Sequence, residues 1–251
     1  MISWSSKRKL KITSTIIFLF IIVPSLLFVF FHKEKTTCFD GIKNGNEEGV
    51  DCGGRSKEVC VFKAAKLNVL LAQAFPVSDG VYNAVVLLEN PNFSYNFKTD
   101  YKIKIYNKKG TVVFENNDNI LLTPSEKRAI FIPSIIYNGG DIGKVLVTFG
   151  KVNSLTRGVP KKNNIKILSK ILSNEYGQTK LTIGLENKSF LPLKKIEVVG
   201  LLSNKENVVV EVGKTFVNYL DKKEKKKIFM TWPKIISKDV SIINVYIRTL
   251  E

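Results

Sequence analysis

A chain of 251 residues that is 44% hydrophobic is too apolar for a disordered polymer and long enough for two small domains. It carries a formal charge of +17, but 34 of its 39 cations are lysines. That argues against a sequence-specific nucleic-acid reader, which favours arginine for bidentate base contacts and aromatic platforms for stacking. Its single histidine, His32, excludes Ser-His or Cys-His nucleophilic catalysis and a histidine-ligated zinc site. With no glycine-rich phosphate cradle or paired carboxylates either, the chain is expected not to be an enzyme.

Residues 1–11 form a basic tail in which Lys7, Arg8, Lys9 and Lys11 lead into residues 12–31, an uncharged and almost wholly apolar run. That length predicts a helix crossing a hydrocarbon core of about 30 Å. The larger positive charge before it than after it predicts a cytoplasmic N-terminus and extracytoplasmic remainder. The run is longer than the apolar region of a cleaved signal peptide and ends in Phe28, Val29, Phe30 and Phe31 rather than small residues, so it reads as an uncleaved anchor.

Residues 36–63 reverse the charge of the chain and hold its only cysteines, Cys38, Cys52 and Cys60. On the oxidising side of a membrane, three thiols permit one disulfide in any of three pairings. The stretch resembles a short motif of secreted and surface proteins, roughly C-x-D-G-x-x-N-x-x-E-x-x-x-D-C-G-G-x-C-x-x-C. Cys38, Asp40, Gly41, Asn44, Glu47, Asp51, Cys52, Gly53 and Gly54 fall in register with it, whereas Ser56 replaces the third cysteine and Cys60 comes one residue late. The resemblance implies four cysteines stapling an acidic loop, and here a surviving bridge from Cys38 to Cys52 or to Cys60. Calcium is the candidate cofactor. Asp40, Asn44, Asn46, Glu48 and Asp51 fall at positions 1, 5, 7, 9 and 12 of an EF-hand-like count with Gly45 at 6. Ile42 at position 3 supplies no oxygen, so a looser calcium-stabilised loop is one expectation, and a solvated acidic turn closed by one disulfide is the other.

Beyond residue 63 the hydrophobic period becomes two. Tyr101, Ile103 and Ile105 alternate with polar positions, as do Leu181, Ile183 and Leu185, and Ile243, Val245 and Ile247. "LLENPNF" at 87–93 matches "GLENKSF" at 184–190, and "LLTPSEKRAIFIP" at 121–133 matches "YLDKKEKKKIFMT" at 219–231, which predicts two copies of one fold. The expected fold class is an all-β ectodomain of two tandem Ig-like or fibronectin-like β-sandwiches, with about seven strands each, behind one N-terminal transmembrane helix. Sandwich 1 is expected over residues 64–150, a stiff linker over 151–163 and sandwich 2 over 164–251, making a rod. The pattern resembles the small Ig-like domains of bacterial envelope proteins, which implies a cell-surface setting.

The expected function is an extracytoplasmic binding or structural role, in adhesion, envelope scaffolding or partner docking, with a protein or polyanionic envelope partner. One alternative is a lysine-rich receptor for polyanions such as envelope polymers or extracellular DNA, using Lys222, Lys223, Lys225, Lys226 and Lys227 in "DKKEKKK". A plain solvated basic face is the competing explanation for those lysines. Another alternative is an accessory subunit of a membrane complex. "NFS" at 92–94 and "NKS" at 187–189 fit the glycosylation tripeptide.

Overall fold

The computed structural model describes residues 4–31, 39–236 and 239–250. By internal contacts the chain forms two compact units, residues 1–56 and 57–251, and Cys52 and Cys60 form a disulfide.

In the first unit, helix α1 spans Trp4–Phe31. It starts well before the apolar run because no glycine or proline interrupts the basic tail. Its 28 residues rise about 42 Å. The window Lys11–Phe28 has a mean hydropathy of 2.1 and none of it is buried, so the helix is long and apolar enough to cross a membrane. Ser14 and Thr15 return their hydroxyls to the Lys11 carbonyl at 3.0 and 2.8 Å, so neither hydroxyl is left without an acceptor. Pro24 lies inside the helix without ending it.

The acidic segment that follows turns sharply at Gly53 and Gly54, whose φ angles are +81° and +56°. A Cβ on Gly54 would lie 1.9 Å from the Asn46 carbonyl oxygen, so only glycine fits there. Just beyond this reversal Cys60 meets Cys52. The expected bridges from Cys38 are therefore corrected, because Cys52 and Cys60 are bonded to each other. Cys38 and His32 lie outside the described residues.

The second unit contains twelve strands. The first six are β1 (Asn68–Ser78), β2 (Val81–Glu89), β3 (Tyr95–Asn107), β4 (Val112–Leu122), β5 (Lys127–Ile136) and β6 (Ile142–Arg157). The second six are β7 (Ile165–Glu175), β8 (Gln178–Asn187), β9 (Leu193–Ser203), β10 (Val209–Leu220), β11 (Lys225–Trp232) and β12 (Ile242–Thr249). They form four antiparallel three-stranded sheets, β1-β2-β5 and β4-β3-β6, then β11-β8-β7 and β10-β9-β12. Both halves thus use the same strand order, and each is a six-stranded sandwich rather than a seven-stranded one. The fold is an all-β pair of Ig-like sandwiches behind one N-terminal apolar helix.

The turns show why the two halves share sequence. Asn90 and Asn187 are both 0% exposed. Asn90 Nδ2 donates to the carbonyls of Tyr95, Leu122 and Thr123 at 2.8, 3.1 and 3.0 Å. Asn187 Nδ2 donates to those of Leu191, Leu220 and Asp221 at 2.8, 3.3 and 3.0 Å. Each amide pins the loop after β2 or β8 to the end of β4 or β10. Glu126 accepts from the Thr123 N–H at 2.8 Å and Glu224 from the Asp221 N–H at 2.7 Å, closing equivalent turns in which Ser125 and Lys223 take φ values of +57° and +58°. Asn107 and Asn204 likewise bond the N–H four residues on, at 2.9 and 2.8 Å.

Period-two alternation places the cores as expected. Tyr101, Ile103 and Ile105 face Ala84, Val86 and Leu88 in one cluster. Leu181, Ile183 and Leu185 face Ile196, Val198 and Leu202 in the other. Trp232, which has no counterpart at Ser134, is buried in the second core, with its Nε1 donating to the Val212 carbonyl at 2.9 Å. It fits because Gly213 has no side chain, since a Cβ there would stand 2.5 Å from the indole.

A third cluster lies between the sandwiches, where Phe75, Val85, Leu87 and Ala129 pack against Val199, Leu201 and Val212. β2 and β9 are therefore buried on both faces, which explains their continuous runs "AVVLL" and "VVGLL". The four sheets stack in the order β4-β3-β6, β1-β2-β5, β10-β9-β12, β11-β8-β7, so the modules meet face to face instead of standing apart on a linker as a rod would. Lys234 ties them further, donating to the Pro76 carbonyl at 2.9 Å and pairing at 2.6 Å with Glu211, whose side chain is 3% exposed. Two boundaries also move. β6 continues through Arg157, taking the first half of the expected linker, and Val59 joins the first core through its N–H bond to the Leu155 carbonyl.

Candidate functional site

Of the five expected calcium ligands, the acidic segment brings Asp40, Asn44 and Asp51 together and adds a third carboxylate, Glu47. Asp51 accepts from the Asp40 and Gly41 N–H groups at 2.9 and 3.1 Å. Asp40 accepts from the Ile42 N–H at 3.0 Å and from Asn44 Nδ2 at 2.8 Å. Glu47 Oε2 accepts from the Asn44 and Asp51 N–H groups, both at 3.3 Å. Glu48 and Asn46 sit apart, against Gly53 and Gly54. The carboxylates thus serve as acceptors that shape a turn. Asn44 Oδ1 and Glu47 Oε1 are buried without a hydrogen-bond partner among the described residues, whereas calcium takes six to eight oxygens. Among the described residues no three His, Cys, Asp or Glu side chains converge on a metal position.

The lysine run spans the tight turn between β10 and β11, with Lys222 and Lys223, and the first three residues of β11, Lys225, Lys226 and Lys227. Lys223 Nζ donates to the Lys188 carbonyl at 2.7 Å and lies 4.2 Å from the Phe190 ring centre. Lys226 Nζ donates to the Tyr219 carbonyl at 3.1 Å and stands 3.7 Å from Glu224. Lys222, Lys225 and Lys227 are exposed on this convex hairpin. Nor are Asn92 and Asn187 open to glycosylation, because their amides are buried and engaged, Asn92 with the Ala65 carbonyl at 2.8 Å.

A concave basic site that the sequence did not foreshadow lies between the modules. Where the modules meet, the connection at 161–164 passes beside β5 and β12, enclosing a cleft of about 580 Å³, within the usual size for ligand sites. Lys127, Arg128, Lys161, Lys162 and Arg248 line it, with Glu126 as the one carboxylate among the described lining residues. Ile165, Leu193 and Ile247 supply apolar wall. Arg128 Nε and Nη2 both donate to Glu126 Oε1, at 2.9 and 2.5 Å. Arg248 Nη2 donates to Glu197 Oε2 at 2.7 Å, and that glutamate side chain is 8% exposed. Arg248 Nε is buried with no hydrogen-bond partner among the described residues. A smaller recess between the same two arginines and two glutamates adjoins the cleft. Both guanidiniums also oppose the rise that burial, and then Asp118, impose on the Tyr101 hydroxyl. The available signal was composition, since arginine occurs at only five positions and two of them converge here.

No family model and no curated protein matches the chain. Among solved structures, similarity is reported to a β-glucuronidase from glycoside hydrolase family 2, with 10% identity and a TM-score of 0.26, covering 68% of this chain and 23% of that one. A red sea bream transglutaminase aligns with 11% identity and a TM-score of 0.22, covering 75% and 32%. The N-terminal CBM22-1–CBM22-2 tandem domain of Paenibacillus barcinonensis Xyn10C aligns with 9% identity and a TM-score of 0.15, covering 73% and 90%. The chain spans less than a third of the first two structures, and similarities this low carry no functional argument.

Proposed function

We propose that this protein is a single-pass, N-in membrane protein of a bacterial envelope that holds a duplicated pair of Ig-like modules outside the membrane as a binding or structural element. The observation that carries this reading is the pairing of an unburied apolar helix at Lys11–Phe28 with an all-β unit that follows it. The larger positive charge before the helix supports the orientation, and the Cys52–Cys60 bridge fits an oxidising compartment. The chain is read as a binder rather than a catalyst. Its fused sandwiches offer a firm scaffold for a protein or polymer partner, in adhesion, scaffolding or as an accessory to a membrane complex.

Protease added to intact cells tests the orientation. Loss of an epitope placed after residue 250, with an N-terminal epitope retained, is expected, and protection of both would sink the reading. A second reading, capture of polyanions, is favoured by the basic cleft between the modules rather than by the lysine hairpin.

A further inference from the structure

We propose that the cleft between the two sandwiches is a binding site for a multivalent anion carrying phosphate or carboxylate groups, with Arg128 and Arg248 as its fixed recognition elements and Lys161 and Lys162 on its rim. The proposal rests on the reading above that residues 57–251 form the partner-binding portion of the protein.

The two arginines have the placement that anion recognition requires. A guanidinium presents several N–H donors in a planar fork that matches carboxylate and phosphate oxygens, and it stays charged at all physiological pH values. Each fork is held from behind by a glutamate, Glu126 for Arg128 and Glu197 for Arg248. Less rotamer freedom therefore remains to be lost when a ligand arrives. Arg248 Nε is buried without a hydrogen-bond partner among the described residues, an arrangement that costs free energy. Cations also outnumber anions there, with five in the lining against Glu126, while Glu89 and Glu197 pair with Lys127 and Arg248.

Position strengthens the attraction. The apolar wall of Ile165, Leu193 and Ile247 lowers the local dielectric, so a charge held there interacts more strongly than one on the convex hairpin at Lys222–Lys227. Lys161 and Lys162 are exposed on the connection, outside both cores. Both modules and the connection contribute, so the site exists only when the sandwiches are locked together. A short oligoanion suits the cleft better than a single small ion, because five cations line a volume of about 580 Å³.

The test is titration calorimetry on the detergent-solubilised full chain at low and moderate salt, with tripolyphosphate and trigalacturonate as separate probes. The proposal expects one saturable site for at least one probe, weakening with salt, and the tighter probe identifies the anion. Lys161→Gln with Lys162→Gln, on an exposed segment outside both cores, should weaken binding roughly tenfold. Arg248→Gln combined with Glu197→Gln, which removes the charge pair together, should weaken it at least as much. A hairpin variant with Lys222, Lys223, Lys225, Lys226 and Lys227 all changed to Gln is the rival. The proposal is overturned if neither probe saturates, or if the hairpin variant loses as much binding as the cleft variants. Either result would leave the anchored display of the modules, tested by protease on intact cells, unaffected.

Discussion

Asn90 and Asn187 show how much one side chain can specify. Each buried amide serves three carbonyls, and its own oxygen accepts a main-chain N–H two residues on. Asn187→Ala should strand those groups and cost about 2–4 kcal/mol, read from denaturant unfolding, and Asn90→Ala should cost a similar amount. The sites share no partners, so the double variant should be close to additive. A loss below about 0.5 kcal/mol would show that water replaces the amide freely. Charge at single residues sets the pH limits. Hydrogen bonds from Lys102 and then Lys104 hold the Glu115 carboxyl below its ordinary value of 4.5, and Asn68 does the same for Glu89. A folded-state value below the unfolded one means that this stabilisation is present above pH 4.5 and lost as pH falls further. Burial raises the hydroxyls of Tyr101 and Tyr246 above 10.0, so their contribution is present below pH 10 and lost as pH rises past it. Thermal melts across pH should fall at both ends, and Lys102→Gln with Lys104→Gln should flatten the acid limb.

At the scale of elements, the glycine turn and the disulfide act as one device. Gly53 and Gly54 reverse the chain so that Cys60 reaches Cys52. Closing so short a loop contributes about 2–3 kcal/mol against local opening. Cys52→Ser with Cys60→Ser should therefore make residues 53–59 readily cleavable by protease, as should reductant on the native chain. Equal resistance with and without reductant would contradict this. Turn chemistry also accounts for the internal similarity of the sequence. The matched residues Asn90/Asn187, Glu126/Glu224 and Asn107/Asn204 are those that close turns, whereas strand positions tolerate any apolar residue that fills the core.

The whole molecule is decided at the face where the sandwiches meet. Val85, Leu87, Val199 and Leu201 are buried there, and Glu211 and Glu197 are buried with Lys234 and Arg248 as partners. Leu201→Glu would place an unpaired carboxylate among apolar side chains, a change of about 3–5 kcal/mol. Calorimetry should then resolve two transitions where the native second unit shows one. A single transition shifted only slightly would mean that the modules fold independently of their contact.

The sequence by itself determined the long apolar helix, the strands and their inward residues, because burial on one face writes a period of two and a helix able to cross a membrane needs an unbroken apolar run. It also determined that the two halves match, since turn-closing asparagines and glutamates recur at fixed spacing. Only the tertiary structure decided that Cys52 pairs with Cys60, that the acidic side chains spend their oxygens on main-chain N–H groups, and that the modules are fused through β2 and β9. These outcomes depend on which groups meet across long stretches of chain, and neither periodicity nor composition encodes that proximity. The basic cleft belongs to the same category, because Arg128, Lys161 and Arg248 are neighbours only once the sheets have stacked.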